Sequence, residues 1–388
     1  MDLHTADHPA AIVRCAAPIV AAIEPCPPLE ALRRDWQMLE AQAESSFFLS
    51  WSWVGTLAAE FGCPPLRLAA RRDGVLVGLA LLGAVAGRPW DILRRPSLHL
   101  NETGDPACDG VMIEYNGILA RRDEAEAVEA ACLAALRRAV LPGRWREVHL
   151  GGIGPALADT CARSGPVRLL RRYPAPYADL AAGGGADPLD GLGSSTRRQI
   201  RRAMRLYAER GPLVLERAGS AAEALDWLDA LEALHTPYWQ ARGRPGAFAS
   251  DSFRRFHRRL IAESYPLGGV EVLRASAGGE AIGYLYNFRH HGDAYAYQSG
   301  FRYEADAKLK PGLVTHLLAM RQAAAEGLRR YCFLAGDSRY KRNLASCADD
   351  LTWLALQRDG LATRIEAGLR RWAARRPRAA AAAEPDEA

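Results

Sequence analysis

Lysine occurs at three positions in this 388-residue chain, Lys308, Lys310 and Lys341, against a combined Lys and Arg count of 50. Arginine supplies every other fixed cation. An ammonium is a compact, rotatable point charge and a guanidinium is a flat fork, so a site shaped for one rejects the other. Two of the lysines fall in Ala-Lys-Leu-Lys-Pro-Gly (307–312) and the third in Asp-Ser-Arg-Tyr-Lys (337–341). In the first run Pro311 presets a helical turn and Gly312 lets a ligand come close. The free N–H groups and dipole of a helix start, with two ammonium groups beside them, suit an anion. In the second run Tyr340 and Lys341 set a phenol beside a cation just after what reads as the last core strand, with Asp337 as the nearest acid.

Other polar groups are candidates for binding or proton transfer. His235 lies on the apolar face of a helix with Tyr238 and Trp239 one turn on. Arg197, Arg201 and Arg205 recur every four residues, a stripe that could clamp phosphate or carboxylate. Asn101, Glu102, Asp105, Glu114 and Asn116 gather around an expected strand over 111–118, where period-two geometry points Glu114 and Asn116 to one side. His290-His291 reads as a solvated hairpin end. The eight cysteines show no CxxC and no paired histidine spacing, which speaks against a structural zinc or a disulfide scaffold. No metal site is expected.

The elements that must position these residues are written twice. Residues 66–83 read as strand, Asp73-Gly74 turn, strand, and residues 270–288 as strand, Gly278-Gly279 turn, strand. After each hairpin come a further apolar strand (111–118; 294–301), an alanine-rich helix (124–140; 312–326) and a strand ending in glycine (147–152; 331–336). Helices are expected before the hairpins at 29–42 and 51–61, and at 194–209, 221–235 and 251–264, with Ser194-Ser-Thr as an N-cap. The pattern predicts an α/β (α+β) protein of two tandem domains, each a mixed sheet flanked by helices. The boundaries are a loose stretch over 1–20, domains over 21–178 and 179–370, and a disordered tail over 371–388.

Hydrophobic content of 49% and charged content of 24% are ordinary for a globular chain, and the net charge of +5 is diluted over its length. Neither charge nor aromatic interleaving favours DNA or single-stranded nucleic acid. No apolar run reaches the roughly 18 residues of a membrane span, and the start of the chain lacks the basic leader of a signal peptide, so a cytoplasmic location is expected.

The motifs resemble a known family. Leu192-Gly-Ser-Ser-Thr-Arg-Arg-Gln-Ile-Arg-Arg, Leu234-His-Thr-Pro-Tyr-Trp-Gln-Ala-Arg-Gly with Gly246-Ala-Phe, Lys310-Pro-Gly and Gly336-Asp-Ser-Arg-Tyr-Lys resemble, in order and spacing, the CelD-like (BioF2-like) acetyltransferases of the GCN5-related N-acetyltransferase (GNAT) superfamily. These are related to the FemABX peptidyltransferases, which also join two such domains. The resemblance covers about 30–370. It implies an acyltransferase that moves an acyl group, acetyl in the first instance, from an acyl-CoA to an amine or hydroxyl of a small-molecule or saccharide acceptor. It places acyl-CoA over Lys308, Lys310, Gly312, Leu313 and Val314, in a loop that departs from the usual Gln/Arg-x-x-Gly-x-Gly/Ala. It places the acyl-transfer centre at Lys341, where the ammonium would face an oxyanion and Tyr340 the leaving thiolate, with Asp337 and His235 alongside. Acceptor contacts would come from Asn101, Glu102, Asp105, Glu114, Asn116, Arg197, Arg201 and Trp239. The FemABX relation also allows an aminoacyl-tRNA donor, with the arginine stripe against the RNA, and a fold that binds without catalysis is the third reading.

Overall fold

The computed structural model describes residues 17–87, 96–140, 145–182, 187–358 and 360. The first half runs β1 (Val20–Pro25), α1 (Leu29–Glu40), α2 (Trp51–Phe61), β2 (Leu66–Arg72), β3 (Val75–Val85), β4 (Ser97–Leu100), β5 (Leu119–Ala120), α3 (Ala125–Ala139), β6 (Glu147–Ile153), α4 (Pro155–Arg163) and β7 (Val167–Asp179). The second runs α5 (Ser194–Ala208), β8 (Leu213–Arg217), α6 (Ala221–Gln240), α7 (Asp251–Ser264), β9 (Val270–Ala277), β10 (Glu280–His290), β11 (Asp293–Phe301), α8 (Pro311–Ala325), β12 (Arg330–Cys332), α9 (Arg339–Leu344) and β13 (Cys347–Gln357). Most of the expected loose N-terminal stretch and the whole expected tail lie outside the described residues.

Both hairpins form where expected, and for the expected reason. Asp73 and Gly74 (φ 50° and 79°) and Gly278 and Gly279 (φ 60° and 85°) occupy the left-handed region that a two-residue type I′ turn demands. In each half the hairpin is followed by a strand, a helix and a strand parallel to the one before the helix: β4 pairs β6, and β11 pairs β12, in parallel.

The two halves form one mixed sheet in the order β1-β2-β3-β4-β6-β13-β7-β12-β11-β10-β9-β8, with β5 beside β3. The seam is an exchange. β7, which ends the first half, pairs β12 of the second, while β13, the last described strand, pairs β6 of the first. β7 and β13 then pair with each other, antiparallel. Residue 178, the expected boundary, lies within β7.

The packing joins the halves as well. On one face α1 and α2 meet α6 and α7 in a single core that takes Leu79 and Leu81 from β3 and Phe288, Tyr295 and Tyr297 from β10 and β11. Phe47 stacks on Phe288 with centroids 4.3 Å apart, and Trp53 meets Phe256 edge-on at 4.8 Å. α3 covers the other face of the first half, and α5 and α8 cover that of the second.

Three expectations are corrected. Residues 111–118 are not a strand; β4 takes that place, and the chain after it is irregular, with Asn101, Met112 and Tyr115 all at positive φ. Val111, Ile113 and Ile118 are apolar because they are buried plugs. The N-cap of α5 is Gly193, not the serines, and no side chain caps it. Lys341 is followed by a further core strand, β13, which sequence periodicity alone did not reveal because its partners come from the other half.

Candidate active site

Strands β11 and β12 run in parallel register over three pairs only, Asp293–Arg330, Ala294–Tyr331 and Tyr295–Cys332. Beyond them the strands part, and a cavity of about 550 Å³ opens against Ala296–Phe301 of β11 and Phe333–Lys341 after β12. The first half has the same short parallel pairing, Ser97–Glu147 to His99–His149, but its parting is filled. Residues after Asn101 fold into it, a Cβ on Gly83 would meet the Glu102 carbonyl oxygen at 2.2 Å, and Asn116 bridges to Ile153.

The start of α8 forms one wall of the cavity. Lys310 is its N-cap, Pro311 its first residue, and no side chain caps the first turn. Lys310, Gly312 and Leu313 line the cavity. Gly312 is needed for packing, since a Cβ there would sit 3.1 Å from the Phe301 ring. Lys308 is exposed and does not line the cavity; Val314 is fully buried in the core under α5.

Lys341 sits on α9, a helix of one and a half turns, and reaches back over the end of β12. Its Nζ donates to Ala335 O at 2.7 Å and lies 3.4 Å from Leu334 O. Gly336, at φ 126°, leaves the room: a Cβ would lie 3.2 Å from Nζ. Tyr340 stacks on His316 at 5.5 Å, and both line the cavity. His316 shares a hydrogen bond with Tyr331 OH at 3.1 Å, and burial together with the Lys341 charge pulls its pKa down to about 3. Asp337 lines the cavity mouth but is ion-paired with Arg342 at 2.5 Å.

His235, on α6, is the opposite wall. A carbonyl oxygen only accepts, so the 3.1 Å contact between Nδ1 and Ser299 O places the ring proton on Nδ1. Nε2 is left with its lone pair, buried and without a partner among the described residues. Burial holds the ring below the usual imidazole range, so it is neutral near pH 7. Trp239 lies next to it on the same wall, 5.8 Å between centroids.

The residues expected to contact acceptor separate into groups. Glu114 enters this cavity from the first half. Its Oε2 accepts from the Ala335 N–H at 2.6 Å, and burial raises its pKa against the opposing pull of Lys341. Asn101 and Asn116 are structural: Asn101 Oδ1 accepts from Leu81 N–H, and its Nδ2 donates to Asn116 Oδ1 and Gly117 O, each at 2.8 Å. Asp105 closes a turn through the Ala107 N–H. Glu102 is raised to about 8 by burial and by the nearby Asp109, away from the cavity. Arg197 donates to Asp190 O and Leu192 O, and Arg201 pairs with Asp190, so the arginine stripe ties down the turn before α5. Arg242, Arg244, Tyr303 and His316 line the cavity and were not singled out from sequence. Arg242 and Arg244 stood in view beside the Trp239 motif.

Residues 194–342, which carry every element of the cavity except Glu114 and Met112, match the family of acetyltransferase (GNAT) domains. The second half holds a GNAT-type domain. No curated protein matches the chain by sequence. Solved structures share its fold across both halves. FemX is 10% identical, with 84% of this chain and 94% of that one covered and a TM-score of 0.55. L-PGS from Bacillus licheniformis is 13% identical over 92% and 98%, with a TM-score of 0.53. A protein of unknown function from Bacteroides thetaiotaomicron is 10% identical over 87% and 99%, with a TM-score of 0.52. Around the GNAT domain, no described group of three or more His, Cys, Asp or Glu could hold a metal ion, and no described helix is long and apolar enough to cross a membrane.

Proposed function

We propose that the protein is an acyltransferase that moves an acyl group, acetyl in the first instance, from an acyl-CoA to an amine in the GNAT-domain cavity. One observation carries the reading: the parting of β11 and β12 opens a cavity lined together by an uncapped helix start, by His235 and by Lys341. The first-turn N–H groups of α8 and Lys310 suit the diphosphate of the donor. With the thioester carbonyl beside Lys341, an amine poised at His235 loses a proton to Nε2 as its nitrogen attacks the carbonyl carbon. The C–N bond forms, and the carbonyl electron pair moves onto an oxygen that the ammonium stabilises. Collapse breaks the C–S bond, and the thiolate takes the phenolic proton of Tyr340. Transfer of the proton from His235 back to Tyr340 restores both groups.

The filled parting of the first half leaves donor binding to the second, with Glu114 as the first half's contribution to the site. The spent guanidinium groups of Arg197 and Arg201 weigh against an RNA-facing stripe and so against an aminoacyl-tRNA donor. A thermal-shift titration with coenzyme A, acetyl-CoA and longer acyl-CoAs tests the proposal. A ligand of the folded state at 100 times its Kd adds about 2.7 kcal/mol. No shift with any thioester overturns it.

A further inference from the structure

The acidic groups of the cavity are taken up without its two arginines. Glu304 is held by Arg210 through two bonds of 2.8 and 2.9 Å, Asp337 by Arg342, and Glu114 by the Ala335 N–H. Arg242 and Arg244, just beyond α6, join no ion pair among the described residues. Each lies over an aromatic ring instead: Arg242 with Cζ 3.5 Å from the Tyr238 centroid, Arg244 with Cζ 5.9 Å from that of Trp239. Tyr238 is itself stacked on Tyr303 at 4.9 Å, and Arg242 Nη1 donates to Tyr238 O at 3.0 Å. Three other stacked arginines are also paired, Arg210 with Glu304, Arg274 with Glu216 and Arg330 with Asp293, whereas Arg171, over Trp353 and outside the cavity, is not paired among the described residues. Stacking fixes the plane of a guanidinium while leaving in-plane N–H donors for a two-toothed grip on an oxyanion.

We propose, building on the acyltransferase reading, that the acceptor is an amine that also bears an anionic group, carboxylate or phosphate, gripped by Arg242 and Arg244. His235 sits in the last two turns of α6 and Arg242 just past its end, seven residues on, so an anion at the arginines lies within one small molecule's reach of His235. The donor phosphates have their own place at Lys310 and the α8 start. The test titrates the full chain and its R242Q/R244Q variant with acetyl-CoA and with paired amines, glucosamine 6-phosphate against glucosamine and lysine against cadaverine. At least one anion-bearing amine should bind about tenfold more tightly than the partner that lacks the anionic group, and the variant should erase that difference while holding acetyl-CoA affinity within about twofold. Equal or absent binding of both anionic members overturns the proposal. So does a variant that loses acetyl-CoA instead, which would give the arginines to the donor phosphates. If the unaltered chain binds no acetyl-CoA, the acyltransferase reading itself fails, whatever the arginines do.

A second inference rests on a different place. Cys26, just after β1, and Cys63, just after α2, bring their Sγ atoms to 3.1 Å, with the Cys26 N–H bonded to Pro65 O at 3.0 Å. Cys63 is exposed. The geometry points to an oxidisable dithiol: Cys63 thiolate attacks a low-molecular-weight disulfide and releases one thiolate, then Cys26 thiolate attacks the Cys63 sulfur and releases the other. Two cysteine thiols are oxidised, one disulfide is reduced to two thiols, and the protons follow the released sulfurs. With glutathione disulfide as oxidant, the intact mass should fall by two hydrogens and a non-reducing digest should join the two cysteine peptides. C26S should stop at a glutathione adduct on Cys63. Adducts alone in the unaltered protein, or two thiols that stay alkylatable, overturn the inference.

Discussion

Glu114 accepts a hydrogen bond from the Ala335 N–H at 2.6 Å while Lys341 donates to the Ala335 carbonyl at 2.7 Å, so one residue of the GNAT domain is clamped by a carboxylate from the first half and an ammonium from the second. The clamp makes the first half part of the site. Replacing Glu114 by Ala should cost about 1–3 kcal/mol, because the partner N–H is left unmet. E114Q keeps an acceptor and should recover most of that stability while still lowering turnover. Urea midpoints together with acyl-transfer rates separate the two effects.

Lys341 should tolerate no other cation. Nζ already lies within 3.2 Å of where a Cβ on Gly336 would be, and a flat guanidinium fork does not reproduce a point charge held there, so K341R should be as inactive as K341M, with turnover down about 10²–10³-fold. G336A should do the same indirectly, through its φ of 126° and a Cβ against Nζ. Activity in K341R close to that of the unaltered protein would remove the lysine from the reaction.

The two lysines of the 308–310 pair should differ. Lys310 lines the cavity and Lys308 does not. K310A should weaken acetyl-CoA binding about tenfold, and K308A should leave it within error. Calorimetric titration of both variants decides this.

H235A should reduce turnover about 10²–10⁴-fold with little change in donor affinity. Because burial keeps the ring neutral below the usual imidazole range, the acyl-transfer rate of the unaltered protein should hold as pH falls through about 6.5. It should drop only at lower pH. A rate that titrates at 6.5 would assign the base elsewhere.

Buried imidazoles also shape stability. His290, expected to be solvated, packs edge-on against Phe47, and burial draws it to about 4, as it does His99; His316 is near 3. As pH falls through the ordinary value of about 6.5 the unfolded chain takes up protons that the folded chain refuses, so stability present above that value is lost on acidification. Glu102 acts in the opposite sense: it stays protonated in the fold to about 8 while the unfolded chain releases that proton at about 4.3, so stability falls as pH rises across that interval. Denaturation midpoints should therefore peak near neutrality, and H290N should soften the loss at pH 5.

What could be read from the sequence was local. The hairpins announced themselves through turn residues at positive φ, and Lys310 and Lys341 through the rarity of lysine. Arg242, although inside the Leu234–Gly243 motif, Arg244 and Tyr303 carry no local sign of a role, because what unites them is the packing of the end of α6 against the loop before α8. Glu114 was marked as an acceptor contact on a strand. It instead reaches the cavity from an irregular segment, carried there by a seam between halves that no local pattern encodes. The same holds for β13, whose two partners lie in strands about 180 to 200 residues earlier.

That seam has a consequence on the ribosome. β6 ends at Ile153, and the strand that covers its edge begins at Cys347, so 194 residues must be made before the edge is closed. At about 5–20 residues per second, that is roughly 10–40 s of synthesis. During that interval the nascent first half exposes a β edge whose proper partner does not yet exist, and any neighbouring chain on the same message offers a copy of it.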